Sequence, residues 1–444
     1  MSASRRRFLC QFGAASVLAG FSVVADERPE VTNPRATDGD ERFEPGWDEK
    51  YRVLVGNQHG DLNGSSEVVL QAAVDLVAAR GGGTVHLMPG TWLLRNAVTL
   101  RSGVRLVGSG AETLLTRGPS ETVSLAADSD WYDQEITLQD EGGIRVGDGI
   151  ALMAREPDTG RQTVIKRTVM ARSGRRLKLN DGLRENLWLT ASPTCSTLFP
   201  LLTAEYAEDV VIENLTLDGN RQNTTNFNGN YGGCIFLQDC NRFTMRKVEA
   251  RNYNGDGISF QICHDVVVQD CWSHGNADLG VHPGSGSQRP LIQNNLLEEN
   301  NLGLFWCWGV KYGLAEGNRM LNNRSYGISI GHNDTDNVMR RNLVSGSGQV
   351  GILFRDDSRG QDFWANRNLV EENTIVNSGG EEGVAIDVRG QTKDVRLLKN
   401  VIREERGAGQ RIGIRLAEQT QRITVDGNQI SGVHQNLVDL RTSG

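Results

Sequence analysis

The sequence predicts an all-β fold, a right-handed parallel β-helix (solenoid) with an N-terminal capping helix and a small β insertion. Three observations predict it. A phrase of Gly, apolar, any residue, apolar recurs every 23 or 24 residues in the second half of the chain. Each phrase holds strand-length alternations separated by Gly, Asn and Asp turns, and none has helical periodicity. The phrases begin at Gly257, Gly280, Gly303, Gly327 and Gly351.

The repeat length and composition argue against other repeat architectures. Two longer steps continue the series to Gly383 and Gly413. Leucine-rich and helical repeats need a helix or a fixed leucine grid, and a propeller blade needs about 40 residues. One turn of chain per repeat, with neighbouring coils about 4.8 Å apart, fits the spacing.

Stacked coils place like residues above one another. One turn position carries an asparagine in successive repeats, which predicts an internal ladder of hydrogen-bonded amides. Cys240 and Cys263 also recur one repeat apart, and we expect them to stack as small core residues rather than to form a disulfide. The ladder positions are Asn295, Asn318, Asn342, Asn373, Asn400 and Asn428.

The first 25 residues resemble an export signal. The segment from Ser4 to Leu9, SRRRFL, fits the twin-arginine pattern and precedes an apolar stretch to about Ala25. Gln11 and several glycines make that stretch a poor membrane anchor. The sequence therefore predicts the twin-arginine translocase as a partner during export, a periplasmic or extracellular protein, and no stable membrane span in the mature chain.

The charge balance argues against a nucleic-acid partner. The chain has 47 Lys and Arg residues and 55 Asp and Glu residues, and removing residues 1–25 leaves 44 and 55, a net charge of −11. Nucleic-acid-binding proteins carry a basic footprint instead.

The remaining chain divides into four predicted regions. Residues 26–56 form an N-terminal extension, and 57–125 hold the capping helix and the first coils. The helix is predicted from Ser66 to Arg80, SEVVLQAAVDLVAAR, which has an apolar face of helical period. Residues 126–200 interrupt the repeat with antiparallel strand pairs, and 201–444 form the main parallel β-helix. An end coil exposes core and strand edges, so a cap is expected there.

Alternation assigns side chains to the outer face of one sheet. In each repeated strand the apolar residues point inward and the intervening residues point outward. The first predicted outward row is Phe236, Ser259, His282, Phe305, Ser329, Leu353 and Ala385. The second is Gln238, Gln261, Gly284, Cys307, Gly331, Arg355 and Asp387.

Three residues are the catalytic candidates: Asp256, Asp278 and His282. The two carboxylates end neighbouring turns, so we expect them about 5–10 Å apart, the range of paired glycosidase acids. His282 follows Asp278 by four residues and would carry protons over the same spot. The alternative is structural, because Asp is also common in turns of this kind.

Other polar and aromatic residues around these rows are candidates for substrate binding. Aromatic faces stack on sugars, and arginines can neutralise substrate carboxylates. Arg355 lies three coils from His282, which favours binding over catalysis. The predicted substrate-binding residues are Gln261, Trp308, Lys311, His332, Arg355, Asp356, Asp387 and Arg389.

The order of helix, strands and coils resembles the pectate-lyase-like β-helix superfamily, over residues 57–115 and about 205–440. Within it, Asn254-Gly-Asp256 is similar to the Asn-Thr-Asp motif of polygalacturonases, and Asn276-Ala-Asp278 keeps one carboxylate of their Asp-Asp motif. Their Gly-His-Gly and Arg-Ile-Lys motifs are missing. Leu279 to Ser285 resembles the Tyr-Gly-Phe-Asp-Pro-His-Glu phrase of alginate epimerases, but His282 replaces the Asp and Gly284 replaces the His.

This resemblance implies an exported carbohydrate-active protein that cleaves or modifies a polysaccharide, as a glycoside hydrolase or as a lyase acting on uronate-containing chains. Asp256 and Asp278 would be the acid and base of hydrolysis, whereas a lyase would use His282 or Lys311 as base beside Arg355. The alternative is a non-catalytic glycan-binding or cell-envelope β-helix. No metal ligands are predicted; calcium stays open as a cofactor, although the Asp pattern of pectate-lyase calcium sites is absent.

Overall fold

A computed structural model describes residue 44 and residues 46–441. The predicted export signal at 1–25 and most of the 26–56 extension lie outside the described residues. Within the described part of the chain the fold is a parallel β-helix with one α-helix, Glu67–Ala79. The predicted fold class, including the cap and the insertion, is confirmed. None of the helices in this part is long and apolar enough to cross a membrane.

One side of the β-helix is an eleven-stranded parallel sheet, which we call the front sheet. Its strands are Val98–Thr99, Leu202–Glu205, Gly233–Gln238, Asp256–Gln261, Leu279–Gly284, Leu302–Phe305, Tyr326–Ile330, Val350–Phe354, Val384–Val388, Ile412–Leu416 and Gln435–Asp439.

The other sides form a continuous 21-stranded parallel sheet, which we call the back sheet. Its long strands give way, from Val267 onward, to two short strands in each coil. Its strands are Tyr51–Gly56, Leu62–Asn63, Gly83–Leu87, Gly90–Leu94, Val104–Arg117, Glu208–Asp218, Asn241–Arg251, Val267–Gln269, Trp272–His274, Leu291–Gln293, Leu296–Glu298, Leu314–Glu316, Arg319–Leu321, Val338–Arg340, Leu343–Ser345, Leu369–Glu371, Thr374–Val376, Arg396–Leu398, Val401–Arg403, Thr424–Asp426 and Gln429–Ser431.

The apolar alternation of the repeats builds the core between these sheets. Ile258, Val281, Leu304 and Ile328 follow one another in register and are each fully buried. A fully buried aliphatic side chain contributes about 1.5–3 kcal/mol relative to exposure. The inward positions of the phrase therefore provide the hydrophobic stabilisation that holds coil on coil.

The capping helix closes the N-terminal end as predicted. Leu70, Val74 and Val77, spaced one helical turn apart, are buried against the core of the first coils. The helix ends before Gly81, whose positive φ of 86° turns the chain back toward the sheet. Strand Tyr51–Gly56 already pairs with Gly83–Leu87, so the first coil begins inside the segment predicted as an extension.

The insertion is a six-stranded antiparallel sheet with a core of its own. Lys166 from this sheet reaches back to the front sheet, where its Nζ lies 4.0 Å from the centre of the Phe236 ring. The insertion therefore covers the N-terminal end of the front sheet. Its strands are Thr122–Ser124, Glu135–Thr137, Gly149–Arg155, Gln162–Ser173, Arg176–Leu179 and Thr194–Ser196. Short 3-10 turns occupy Trp47–Glu49, Leu189–Ala191 and Arg221–Asn223.

The predicted asparagine ladder is present. Asn295 Nδ2 donates to Asn318 Oδ1 at 2.9 Å, and the same bond recurs from each asparagine to the next as far as Asn428. The ladder follows the bend between the two short strands of the back sheet. Each side-chain amide thereby satisfies its hydrogen bonds inside the protein.

The predicted outward rows need one correction. Leu353 pairs with Asp387, not with Ala385, so Asp387 belongs to the first row and lies in register beyond Ser329 and Leu353. The repeat from Gly351 is aligned with Ala385 rather than with Gly383. The longer connection between these coils adds residues before the strand, and Gly383 is the last residue of that connection, directly before Val384.

Candidate functional site

The outer face of the front sheet changes residue type at every coil near its centre. Ser259 pairs with His282, and Phe305 pairs with Ser329 on the later coils. His282 and Phe305 are neighbours, with ring centroids 5.3 Å apart in an edge-to-face contact. This short part of the sheet brings several predicted site residues together.

The centre of the site is a buried ion pair. Asp256 begins its strand, and its Oδ2 lies 2.7 Å from Nδ1 of His282 on the next coil. Asp256 Oδ1 also accepts the backbone N–H of Leu279 at 3.1 Å. The loop before the preceding strand passes directly over this carboxylate and leaves no room for a side chain at Gly229. Asp256 is therefore shielded from solvent, and His282 is the side chain that it holds.

The charge state of the pair follows from these contacts. Burial lowers the pKa of His282, but the hydrogen bond to Asp256 and the interaction with Cys307 outweigh burial and raise that pKa to about 9. Burial raises the pKa of Asp256, against the opposing effect of His282. At neutral pH the ring carries the proton and donates Nδ1–H to the carboxylate. His282 is then a proton donor rather than a base.

Arg355 reaches this centre although its strand is distant. Its guanidinium carbon lies 4.3 Å from the centre of the Phe305 ring. The same group donates to Ser329 Oγ at 2.8 Å and to the carbonyl of Trp306 at 3.0 Å. The side chain extends back across the neighbouring coils, so the cationic end of Arg355 is one aromatic ring away from His282.

The next outward position holds Cys307. Gly284 pairs with Cys307, and the Gln261 side chain lies over Gly284 because that residue has no Cβ. Gln261 Nε2 donates to Ser259 Oγ at 3.1 Å. Cys307 lies on the coil after that of His282, whereas Asp256 lies on the coil before it. Cys307 is half-buried, whereas the other described cysteines are buried.

An aromatic cluster adjoins Cys307 on the exit from the strand. Trp308 is 44% exposed, and its ring meets the edge of His332 with centroids 5.2 Å apart. The ring centroids of Phe363 and His332 lie 5.6 Å apart in an edge-to-face contact, and the Arg359 guanidinium carbon lies 4.5 Å from the Trp308 ring centre. His332 Nδ1 accepts the backbone N–H of Arg359 at 2.9 Å. Burial lowers the pKa of His332, so this ring is neutral and supports the platform.

Asp278 and Lys311 lie beside the centre rather than in it. Asp278 precedes the strand of His282 and accepts a hydrogen bond from Asn226 Nδ2 at 3.0 Å. Lys311 lies in a ladder of single bridges with Gln288 and Thr335, at the corner beyond the front sheet. Asp278 is close enough to Asp256 to raise the pKa of that carboxyl, but the two do not form a pair of solvent-facing acids because Asp256 is shielded.

The last predicted binding residues lie farther along the sheet. Asp387 is fully buried and is held by Arg389 Nε at 2.6 Å and by Arg415 Nη2 at 2.6 Å. Asp356 is exposed and packs near Gly390. Asp387, Arg389 and Arg415 form an ion-paired cluster of their own. Among the residues described, no group of three or more His, Cys, Asp or Glu is arranged to hold a metal ion.

Four residues of the site were not among the predicted binding or catalytic residues: Phe305, Cys307, Arg359 and Phe363. Phe305 and Cys307 stand in the predicted outward rows, so register alone could have selected them. Arg359 and Phe363 come from a long irregular connection after Phe354, where no periodicity indicates which side chains return to the sheet.

The fold places the chain among right-handed parallel β-helix proteins. The family described as "Right handed beta helix region" matches residues 204–363. Two similar curated proteins are mannuronan C5-epimerases of Azotobacter vinelandii. AlgE2 is 23% identical over 346 residues, which cover 76% of this chain and 25% of the relative. AlgE5 is 23% identical over 318 residues, which cover 69% and 23%. The chain thus spans about a quarter of the length of these relatives.

Solved structures show the same architecture. The A-module of the Azotobacter vinelandii mannuronan C-5 epimerase AlgE4 matches with a TM-score of 0.52 and 16% identity, covering 85% of this chain and 96% of that one. PfbA, a surface adhesin of Streptococcus pneumoniae, matches with a TM-score of 0.52 and 12% identity, covering 84% and 89%. At such identities the likeness establishes the fold alone.

Proposed function

We propose that this protein is a lyase acting on a uronate-containing polysaccharide that lies across the front sheet. The site would remove the proton on the sugar carbon next to the carboxylate and break the neighbouring glycosidic bond by β-elimination. Similarity to proteins named mannuronan C5-epimerases supports an acidic polysaccharide as substrate.

The observation that carries this proposal is the shielded Asp256–His282 pair with the Arg355 cation one ring away. Hydrolysis by paired acids needs two carboxyl groups that flank the scissile bond. Asp256 has no exposed surface and is covered at Gly229, so it cannot flank a bound sugar. A positioned imidazolium beside a guanidinium instead suits chemistry in which negative charge develops on a substrate carboxylate.

The surrounding residues give the polysaccharide a place to bind. Trp308 and Phe363 expose aromatic surface, and Arg359 adds a positive charge at the same platform. A sugar ring can stack on Trp308 while its neighbours extend along the coils. Such a substrate is met outside the cytoplasm, which agrees with the twin-arginine motif. Replacing Arg5 and Arg6 by Lys should retain the chain inside the cell, and unchanged export in fractionated cells would contradict that route.

A second candidate is glycan binding without turnover. The exposed Trp308 and Phe363 support it, because an aromatic platform alone is enough for recognition. In that case Asp256 and His282 would be a structural pair, and their replacement would change stability but not glycan affinity.

The test is an activity screen of the full chain on mannuronan, alginate, polygalacturonate and a neutral glucan. We expect unsaturated products, detected by ultraviolet absorbance, from an acidic chain and none from the glucan. His282→Ala and Asp256→Asn should each lower turnover by about 10²-fold. His274→Ala is the matched control, because His274 pairs with Glu249 on the back sheet. New reducing ends without unsaturation, or full activity of both site variants, would overturn the proposal.

A further inference from the structure

Two buried polar atoms at the centre of the front sheet have no hydrogen-bond partner among the residues that the structure describes. They are Nε2 of His282 and Oε1 of Gln261. Their residues are only 3% and 5% exposed. Buried polar groups are rarely left without a hydrogen bond, and each such atom calls for an explanation. Both lie around Gly284 and its partner in register, Cys307.

The His282 ring has a fixed orientation. Asp256 on the preceding coil holds the ring, since its Oδ2 lies 2.7 Å from His282 Nδ1, and the ring makes an edge-to-face contact with Phe305. Nε2 is therefore left for the following coil, where Cys307 is in register with Gly284, two residues after His282. Among the described residues Nε2 has no hydrogen-bond partner, so it is the free end of the ring.

Cys307 is also the group of this set that reaches the surface. It is half-buried, while Cys195, Cys234, Cys240, Cys263 and Cys271 are buried. The exposed Trp308 follows it directly. A sugar stacked on Trp308 would meet Cys307 before it could meet the shielded imidazole.

A protonated imidazole beside a thiol stabilises the thiolate, which is the reactive form of cysteine. The carboxylate of Asp256, the imidazole of His282 and the thiol of Cys307 lie on three successive coils, and their exposure to solvent increases in that order. We propose that Cys307 is the catalytic base of this site, with its thiolate stabilised by the His282 imidazolium and with Asp256 as a positioning residue. This assignment rests on the lyase function proposed above.

The proposed step moves one proton and one electron pair. The Cys307 thiolate takes the proton from C5 of the uronate, whose carboxylate is neutralised by Arg355. The electron pair of the C5–H bond becomes the C4=C5 double bond, and the C4–O bond breaks. The leaving oxygen then takes the proton from the Cys307 thiol, which restores the thiolate. A single group on one side of the substrate suits elimination of a proton and a leaving group from that same side.

The first test reads the thiolate without any substrate. The full chain with Cys10→Ser is treated with iodoacetamide at neutral pH, and the modified peptide is identified by mass spectrometry. We expect Cys307 to react at least about ten times faster than in the His282→Gln variant, and Asp256→Asn to slow it as well. His274→Ala should leave the rate unchanged. Equal rates with and without His282 would overturn the inference, whatever the substrate is.

The second test is turnover by Cys307→Ser on the polysaccharide found in the screen. We expect kcat to fall by at least about 10²-fold with little change in KM and in the unfolding midpoint. Full activity of Cys307→Ser would overturn the assignment of the base while leaving the lyase function standing. Fast, His282-dependent alkylation in a protein that turns over no polysaccharide would support the thiolate site and overturn the proposed function.

Discussion

Two rows of stacked side chains in the same β-helix behave differently. The ladder from Asn295 to Asn428 repeats one residue and one bond in every coil. The outward row of the front sheet passes through Ser259, His282, Phe305 and Ser329, and the residue type changes from each coil to the next. Both rows lie on the same scaffold with the same rise per coil.

The difference shows where structure constrains the sequence. In the ladder each amide completes the bonding of the next coil, so a change at one position leaves its neighbours unsatisfied. In the outward row the backbone bonds are complete without the side chains, and a residue can be chosen for chemistry. Loss of repetition on an otherwise repetitive scaffold therefore marks the site.

The largest effect is expected from breaking the ladder. Asn342 accepts from Asn318 twice, at 2.9 and 3.0 Å, and donates to Ala315 O and Asn373 Oδ1 at 3.0 and 2.9 Å. Asn342→Leu removes these bonds inside the core and should lower the free energy of unfolding by about 3–5 kcal/mol. Denaturant unfolding measures this change.

Asn436→Leu is the control for this variant, because Asn436 is exposed on the last strand. It should change stability by less than about 0.5 kcal/mol. If Asn436→Leu lowers the free energy of unfolding as much as Asn342→Leu does, the bonds of the asparagine ladder make no special contribution to stability.

The ladder and the coils could be predicted because they are periodic. Spacing, alternation and turn residues determine the capping helix, the inward rows and the stacked asparagines. Aligning Gly383 with Gly351 puts Asp387 in the wrong row, because Gly383 ends the longer connection and only by its position before Val384 resembles the start of a repeat. The repeat length does not determine the register of a strand that follows an irregular connection.

The contacts of the site could be predicted only in part. Register placed His282 beside Ser259 and identified Cys307 as an outward residue. It could not show that Arg355 extends back to Phe305, because that depends on side-chain conformation. Nor could it show the covering of Asp256 at Gly229, since the loop that carries Gly229 belongs to no repeat.

The next largest effect is a change of stability with pH, which we expect for the outward row of the front sheet and not for the ladder. The folded protein raises the pKa of His282 from 6.5 to about 9, through Asp256 and Cys307, with Arg355 behind Phe305 as the nearby cation. A raised pKa adds stability that is complete below pH 6.5 and is lost as the pH rises through about 9. The stability difference between wild type and His282→Gln should therefore shrink by about 3 kcal/mol over this range. Denaturant unfolding at several pH values measures it.

The ladder supplies the reference for that measurement. Asparagine does not titrate, so the cost of Asn342→Leu should be the same at each of these pH values. A His282→Gln difference that also stays constant would mean that the ring is not charged in the folded protein.

The smallest effect tests whether the non-repeating row continues into a binding surface at Trp308. Removing the exposed ring by Trp308→Ala should weaken substrate stacking by about 1 kcal/mol, which raises KM roughly fivefold and leaves kcat unchanged. The backbone at position 308 has a positive φ of 68°, which is equally unfavourable for Trp and for Ala, so the substitution does not change the backbone strain. Trp272→Ala is the matched control, since Trp272 is 40% exposed but stacks on His274 on the back sheet. Steady-state kinetics on the same polysaccharide compares the two variants. An equal change in KM for both would show that the tryptophans contribute only general stability, and it would separate the platform from the site at His282.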